Sequence, residues 1–348
     1  MRRLLSTAVL IIFALLTAHA SALGLEDAWR SAPARPDAIT TRLELLTASN
    51  KLVRVEADPL ALRMDLLQAN QGVELLEAQH RHALFTALLE VAEAYTGVLQ
   101  GRAQAELAGS ALALSETALM VANIRFDNGG ATSFDVRDAE IAVEEARQAV
   151  EAATSGLDVA GSNLEGMIGS EVDPAELEPV HDGVFVVLPD LEVVVANLDD
   201  HPTLLQARQG VALARTGVEL LDPAYASEAQ IESAKTQLRT AEELVGEARR
   251  GFALQARNAY LQASTSADRH TVAAERVAAA EERLALQRAR LEGGLISRIE
   301  LDRVALEVRQ QHLELLGARH EHLLALLRLQ AATMHDLGLA PAVTAVRR

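Results

Sequence analysis

A tight turn that occurs twice, about 165 positions apart, constrains this chain more than any other feature. The first copy is Arg125-Phe126-Asp127-Asn128-Gly129-Gly130-Ala131-Thr132-Ser133-Phe134-Asp135. The second is Arg290-Leu291-Glu292-Gly293-Gly294, followed by Ser297, Glu300 and Leu301. At the same offset Tyr95 pairs with Tyr260, Gly129 with Gly294 and Asp135 with Glu300. Self-similarity at one fixed offset means duplicated architecture, and each copy lies between long runs rich in alanine and leucine. The expected fold is all-α, two long helical hairpins in tandem rather than several compact domains.

Leu84, Leu88, Val91, Tyr95 and Val98 recur at the 4-3-4-3 spacing of a coiled-coil seam. Leu107, Ala111, Leu114, Ala118 and Val121 continue it after a phase shift, and such a stutter locally relaxes the supercoil. Helix from Leu60 to Asn128 would be about 100 Å long at ~1.5 Å per residue, and it needs partners along its whole length. Asn128-Gly129-Gly130 ends it, because glycine takes the left-handed conformation that closes a helix. Ser133 and Asp135 offer oxygens to cap the return helix, which is expected to reach Ile168 with Val136, Ala139, Ala142, Ala146 and Val150 on one face. In the second copy Ala273, Val277, Ala280, Leu284, Gln287 and Leu291 form one seam, and Leu301, Ala305, Val308, His312 and Leu315 the other.

The expected division is therefore a signal peptide at 1–22, a first helical repeat at 23–168, a connector at 169–189, a second repeat at 190–338 and a disordered tail at 339–348. The signal peptide rests on Met1-Arg2-Arg3, the apolar run Leu4 to Leu16, and small-x-small sites at Ala18-His19-Ala20 and Ala20-Ser21-Ala22. That run is shorter than the ~20 residues a spanning helix needs; the alternative is an anchor that stays on the chain. With the segment cleaved, the mature chain has no membrane-spanning segment and works in the periplasm or cell envelope. In the connector, Val184-Phe185-Val186-Val187-Leu188 reads either as one short β-strand or as a linker laid along the helices.

Composition removes several function classes. Aromatic residues make up only 3% of the chain and cysteine is absent, which excludes disulfides, thiolate metal sites and a lipid-bearing cysteine anchor. A net charge of -17 repels phosphate backbones, so nucleic acid is excluded as a partner. His80 and His82, like His320 and His322, stand at i and i+2, which do not share a helix face. A lone Glu77-x-x-His80 is short of the ligand set of a carboxylate-bridged bundle. Tyr95 and Tyr260 are expected to pack rather than bind. With no Ser/His/Asp set, P-loop or dinucleotide fingerprint, neither metal, cofactor nor enzymatic activity is expected.

Leu25-Glu26-Asp27-Ala28, His201-Pro202, Tyr95 with Tyr260, and the two Arg-x-x-x-Gly turns with a carboxylate six residues on together resemble the TolC-like outer-membrane efflux family. Specificity comes from the duplicated layout, which covers nearly all of 23–338. The resemblance implies a homo-oligomer, a trimer in that family, walled by helices, capped by a membrane β-barrel and meeting a periplasmic adaptor at its turn tips. On that reading Arg125, Gly129, Ser133, Asp135, Asp138, Arg290, Gly294, Ser297 and Glu300 are candidate partner-docking and gating residues. The competing reading makes them solvated capping groups.

Two departures stand out. The family inserts membrane strands between the short and long helices of each repeat, where this chain has only Val55-Glu56-Ala57-Asp58-Pro59 and Leu221-Asp222-Pro223-Ala224-Tyr225. Neither supplies the ~9–11 alternating residues of a membrane strand. In addition, the second turn has Arg303 after Glu300 where the family carries Asp-x-x-Asp; the first turn holds Asp135 and Asp138. The expected function is a barrel-less helical element of an envelope efflux or export assembly, and the alternative is a coiled-coil spacer or tether that transports nothing.

Overall fold

The computed structural model describes residues 23–181, 185–222 and 224–340. The expected signal segment, Val184 and positions 341–348 lie outside the described residues. Helix α1 spans Leu25–Trp29 and leads through a short 3-10 turn to α2, Pro36–Ala57. Helix α3 runs Arg63–Asp127 and α4 returns over Ser133–Ile168. After the connector come α5 (Leu191–Ala196), α6 (Pro202–Glu219), α7 (Glu228–Glu292) and α8 (Arg298–Thr333). Prolines at the first turn of α2 and α6 start those helices where a missing N–H costs nothing. At 65 residues each, α3 and α7 are about 97 Å long at ~1.5 Å per residue.

The helices stand side by side in four columns. Helix α3 packs along α4 in one half of the molecule and along α2 in the other; α8 and then α6 fill the column between α3 and α7. The long helices are unbroken, whereas α4 with α2 and α8 with α6 form two interrupted columns. Cross-links fix the register: Arg328 bonds Glu93 (2.7 Å), Arg309 bonds Ser110, and Gln71 and Gln209 each donate to the other's carbonyl (3.4 and 2.9 Å). Helices α3 and α8 thus run antiparallel, and both glycine turns project from one end of the wall. The α2–α3 and α6–α7 loops share the other end, joined by Arg63 and Glu219 at 3.5 Å. The side chains of such pairs are largely exposed, so each contributes little stability and mainly sets alignment.

The main core lies at mid-length, where the columns break. Leu25, Trp29, Phe85, Leu88, Val91, Tyr95, Val98, Leu164, Leu323 and Leu326 are buried together there. Trp29 donates its indole N–H to the Leu88 carbonyl (3.0 Å). Tyr95 Oη lies 2.8 Å from the Leu23 carbonyl and 2.6 Å from that of Glu178, so its single proton ties the entry segment and the connector to α3. Arg102 reaches the carbonyls of Pro174, Ala175 and Leu177. Only a single parallel bridge, Leu23 with Leu177, pairs extended backbone among the described residues.

One open alternative is decided here and two expectations change. Residues 185–188 join no sheet; Phe185 instead inserts between α7 and α8, so the connector is a linker pinned to the helices. Leu339 and Ala340, placed at the start of a disordered tail, are buried in the core. On α4 the expected face holds at Val136, Ala139, Ala146 and Val150, which are half-buried, but Val143 is buried in place of Ala142, which is exposed.

Candidate functional site

Each tip is built from two backbone motifs joined by a short link. At the first, Gly129 has φ 73° and its N–H bonds the Phe126 carbonyl (2.9 Å), while Gly130 N–H bonds the Arg125 carbonyl (2.7 Å). At the second, Gly294 has φ 71°, its N–H bonds Leu291 (2.9 Å), and Leu295 N–H bonds Arg290 (2.9 Å). This pair of bonds satisfies the last orphan carbonyls of a helix and requires a left-handed residue, hence the repeated glycine. Arg125 and Arg290 fall in the last turn, where a cation meets the negative end of the helix dipole.

The return helices start with matching capping boxes. Thr132 accepts from the Asp135 N–H (3.3 Å), and Asp135 Oδ2 accepts from the Thr132 N–H (2.6 Å) and hydroxyl (2.7 Å). Ser297 and Glu300 repeat this at 2.7, 2.8 and 3.4 Å. The N-cap is therefore Thr132, not Ser133, which is the first helical residue. The backbone N–H and then the hydroxyl hold the Asp135 and Glu300 carboxyls below the usual carboxylate range. Carboxylates engaged in this way keep their charge while their geometry is set by the helix start. The spacing Arg-Gly-carboxylate thus has a complete backbone explanation, and Ser133, Asp138, Arg125 and Arg290 stand exposed around it.

Besides these polar groups, each tip presents apolar side chains to solvent. Phe134 is 77% exposed, Leu295 76%, Ile124 55% and Phe126 45%. Charge spacing directed attention to Asp135 and Glu300, whereas Phe134 and Leu295 are the groups with unmet surface. Their signal in the sequence was plain: large apolar residues inside a glycine turn.

Behind the tips the wall is open. Residues 107–124 contain one charge, Glu116, and none of them is buried. An 18-residue window of α3 has a mean hydropathy of 1.4, long and apolar enough by that measure to cross a membrane. Here it continues into more helix at both ends and is flanked by α4 and α8, so it is an uncovered part of the wall. A groove of about 810 Å³ runs between α3 and α8, lined among others by Leu107, Ser110, Ala113, Arg309, His312 and Leu316. His312 is exposed and bonds Glu281 at 3.0 Å.

Sequence reasoning missed a histidine group at mid-length. His201 caps α6 by accepting from the Thr203 N–H (3.3 Å), and its ring lies 4.1 Å from Phe252 and 5.4 Å from His82. His320 is 3% exposed and neither ring nitrogen has a hydrogen-bond partner. Burial first, then the charge of His82 or Arg319 respectively, lowers the pKa of His201 and of His320 to about 4. Phe185 stacks on His322 (5.4 Å) and His270 (6.0 Å), with the Arg319 guanidinium 5.3 Å from its ring centre. No group of three or more potential metal ligands occurs among the described residues.

Comparison with known proteins places this geometry. Residues 60–170 match the family described as outer membrane efflux protein. No curated protein matches the chain by sequence. Among solved structures, CusC superposes with a TM-score of 0.65 at 14% identity, covering 90% of this chain and 96% of that one. OprN, an outer-membrane channel, gives 0.62 at 13%, covering 92% and 90%. VceC, an outer membrane protein of Vibrio cholerae, gives 0.61 at 14%, covering 89% and 95%. The shared property at these identities is the fold. The resemblance read from the duplicated turns holds, and so does the all-α architecture without barrel strands among the described residues.

Proposed function

We propose that this chain, TolC-like in fold and matched to the outer membrane efflux proteins across its first long hairpin, is a barrel-less helical component of an envelope efflux or export assembly. It closes its wall with further copies of itself and meets a periplasmic adaptor through the two glycine-turn tips. The observation that carries this reading is the open wall. Helix α4 forms one border and α7 the other, and they do not pack along one another. Ile141 and Val159 on α4, and Leu254, Leu261 and Leu286 on α7, are 49 to 70% exposed. Two unlike apolar borders on one rigid element suit head-to-tail contacts that close into a ring; the number of copies, three, comes from the family resemblance. A tether would seal its own seams, and residues 107–124 are unsealed in the single chain.

Sedimentation at micromolar concentration should show a discrete oligomer. A well-folded monomer across that range would sink the ring and leave the spacer reading. For the tips, Phe134→Ser with Leu295→Ser should leave helicity and melting nearly unchanged, because both side chains are already in water. The pair should lose at least tenfold in cross-linking yield to the adaptor and abolish the export phenotype. Retention of both would remove docking from the tips. Asp135→Ala with Glu300→Ala separates the competing reading: pure caps would change melting and leave docking intact.

A further inference from the structure

The opposite end of the wall carries a second, unassigned apolar surface. Leu60 is 84% exposed, Leu62 67%, Leu220 57% and Tyr225 91%. The first two lie on the α2–α3 loop and the others on the α6–α7 loop, and the Arg63–Glu219 pair holds the loops side by side. Both loops are pinned in the same way. Asp58 Oδ1 accepts from the Leu60 N–H (2.9 Å) and its carbonyl from Ala61 (3.1 Å); Asp222 Oδ1 accepts from Ala224 (2.8 Å) and its carbonyl from Tyr225 (3.0 Å). The apolar side chains are therefore displayed by fixed turns at the apex of the wall. Lateral packing of copies through α4 and α7 leaves them uncovered, because they lie in the loops at the end of the wall and not on those helices.

We infer that this end is a peripheral lipid-contact surface, in which Leu60, Leu62, Leu220 and Tyr225 enter the headgroup–acyl boundary of an uncharged bilayer surface. Size and shape select the occupant. Four side chains expose on the order of 400–500 Å² of surface, short of the ~800 Å² per partner that a specific protein interface buries. A bilayer boundary demands no complementary shape, so a small convex patch suffices, and a ring of copies repeats it. Leucine enters the acyl edge, while tyrosine suits a boundary that is apolar on one side and wet on the other. The acidic balance of the chain, -17, argues for zwitterionic rather than anionic lipid. The inference is independent of what the glycine tips bind.

The absence of cysteine makes the test direct. Single cysteines at Leu62→Cys and at Tyr225→Cys in the full chain, labelled with an environment-sensitive fluorophore, should shift to the blue on adding phosphatidylcholine vesicles. Bromine-bearing acyl chains should quench both, and a label at Leu295→Cys on the far tip should not respond. Replacing the three other apex residues by serine should reduce the quenched fraction of the Leu62 label at least tenfold. Base labels that stay in water with vesicles present overturn the inference. So does a blue shift without vesicles that grows with protein concentration, which would mean that a second copy covers the end. A quenched label at Leu295 would instead count against the tip assignment, leaving the base result to stand on its own labels.

Discussion

Acidification from pH 7 to pH 4.5 should loosen the middle of this molecule. His201 and His320 are neutral in the fold, with pKa values lowered to about 4 from an ordinary 6.5. Below 6.5 the unfolded chain takes up these protons and the folded one does not. Stability is thus fully present above pH 6.5 and is lost as pH falls toward 4. By pH 4.5, two units below the unfolded value, at most about 2.5 kcal/mol is lost from each histidine, since one pKa unit corresponds to about 1.4 kcal/mol. Protonating His201 also removes the lone pair that caps α6, and protonating His320 places a charge beside Arg319 with no acceptor at either nitrogen. Melting followed by circular dichroism should fall steeply across this window, and His320→Leu should flatten the slope. An unchanged midpoint between pH 7 and 4.5 would mean that both rings are solvated.

Trp29→Ala should be among the most damaging single substitutions, costing about 3–5 kcal/mol. The side chain is 1% exposed, packs in the central cluster and spends its N–H on the Leu88 carbonyl. Truncation leaves a cavity where α1, α3 and the connector meet, and the rigid helix α3 cannot collapse into it. Trp29→Phe should recover most of the loss and miss mainly the hydrogen bond, about 1 kcal/mol. Denaturant unfolding followed at 222 nm measures both, because the chain has no other tryptophan to report by fluorescence. A cost under ~1 kcal/mol for the alanine variant would show that the entry segment is not anchored there.

Much of this fold was legible because long helices advertise themselves. The seam from Leu84 to Val98 is buried throughout, and the return helix ends at Ile168 as its spacing required. Glycine at a helix end has one dominant use, so Gly129 and Gly294 were interpretable from type alone. The N-cap was misplaced by one residue since Thr132 and Ser133 carry equivalent hydroxyls. The box register, Thr132 three before Asp135, distinguishes them. The run from Val184 to Leu188 stayed open because an apolar run fits a strand and a packed linker equally, and only the contacts of Phe185 with His322 and Arg319 decide. The tip residues Phe134 and Leu295 could be picked out as large apolar groups in a glycine turn, but their exposure and that of the base residues could not: spacing shows that a residue is apolar, not whether anything covers it.

The two interrupted columns give the wall an uneven stiffness. Helices α3 and α7 are continuous struts some 97 Å long at ~1.5 Å per residue, so bending either means stretching its own ladder of hydrogen bonds. The neighbouring columns are each jointed at mid-length, where α4 gives way to α2 and α8 to α6. Sliding between the half-columns requires only that the connector and α1 shift against one another. A torque applied at the glycine end would therefore twist one half against the other about the two struts. The strain would gather at Trp29, Tyr95 and Phe185, the bolts that cross the joint.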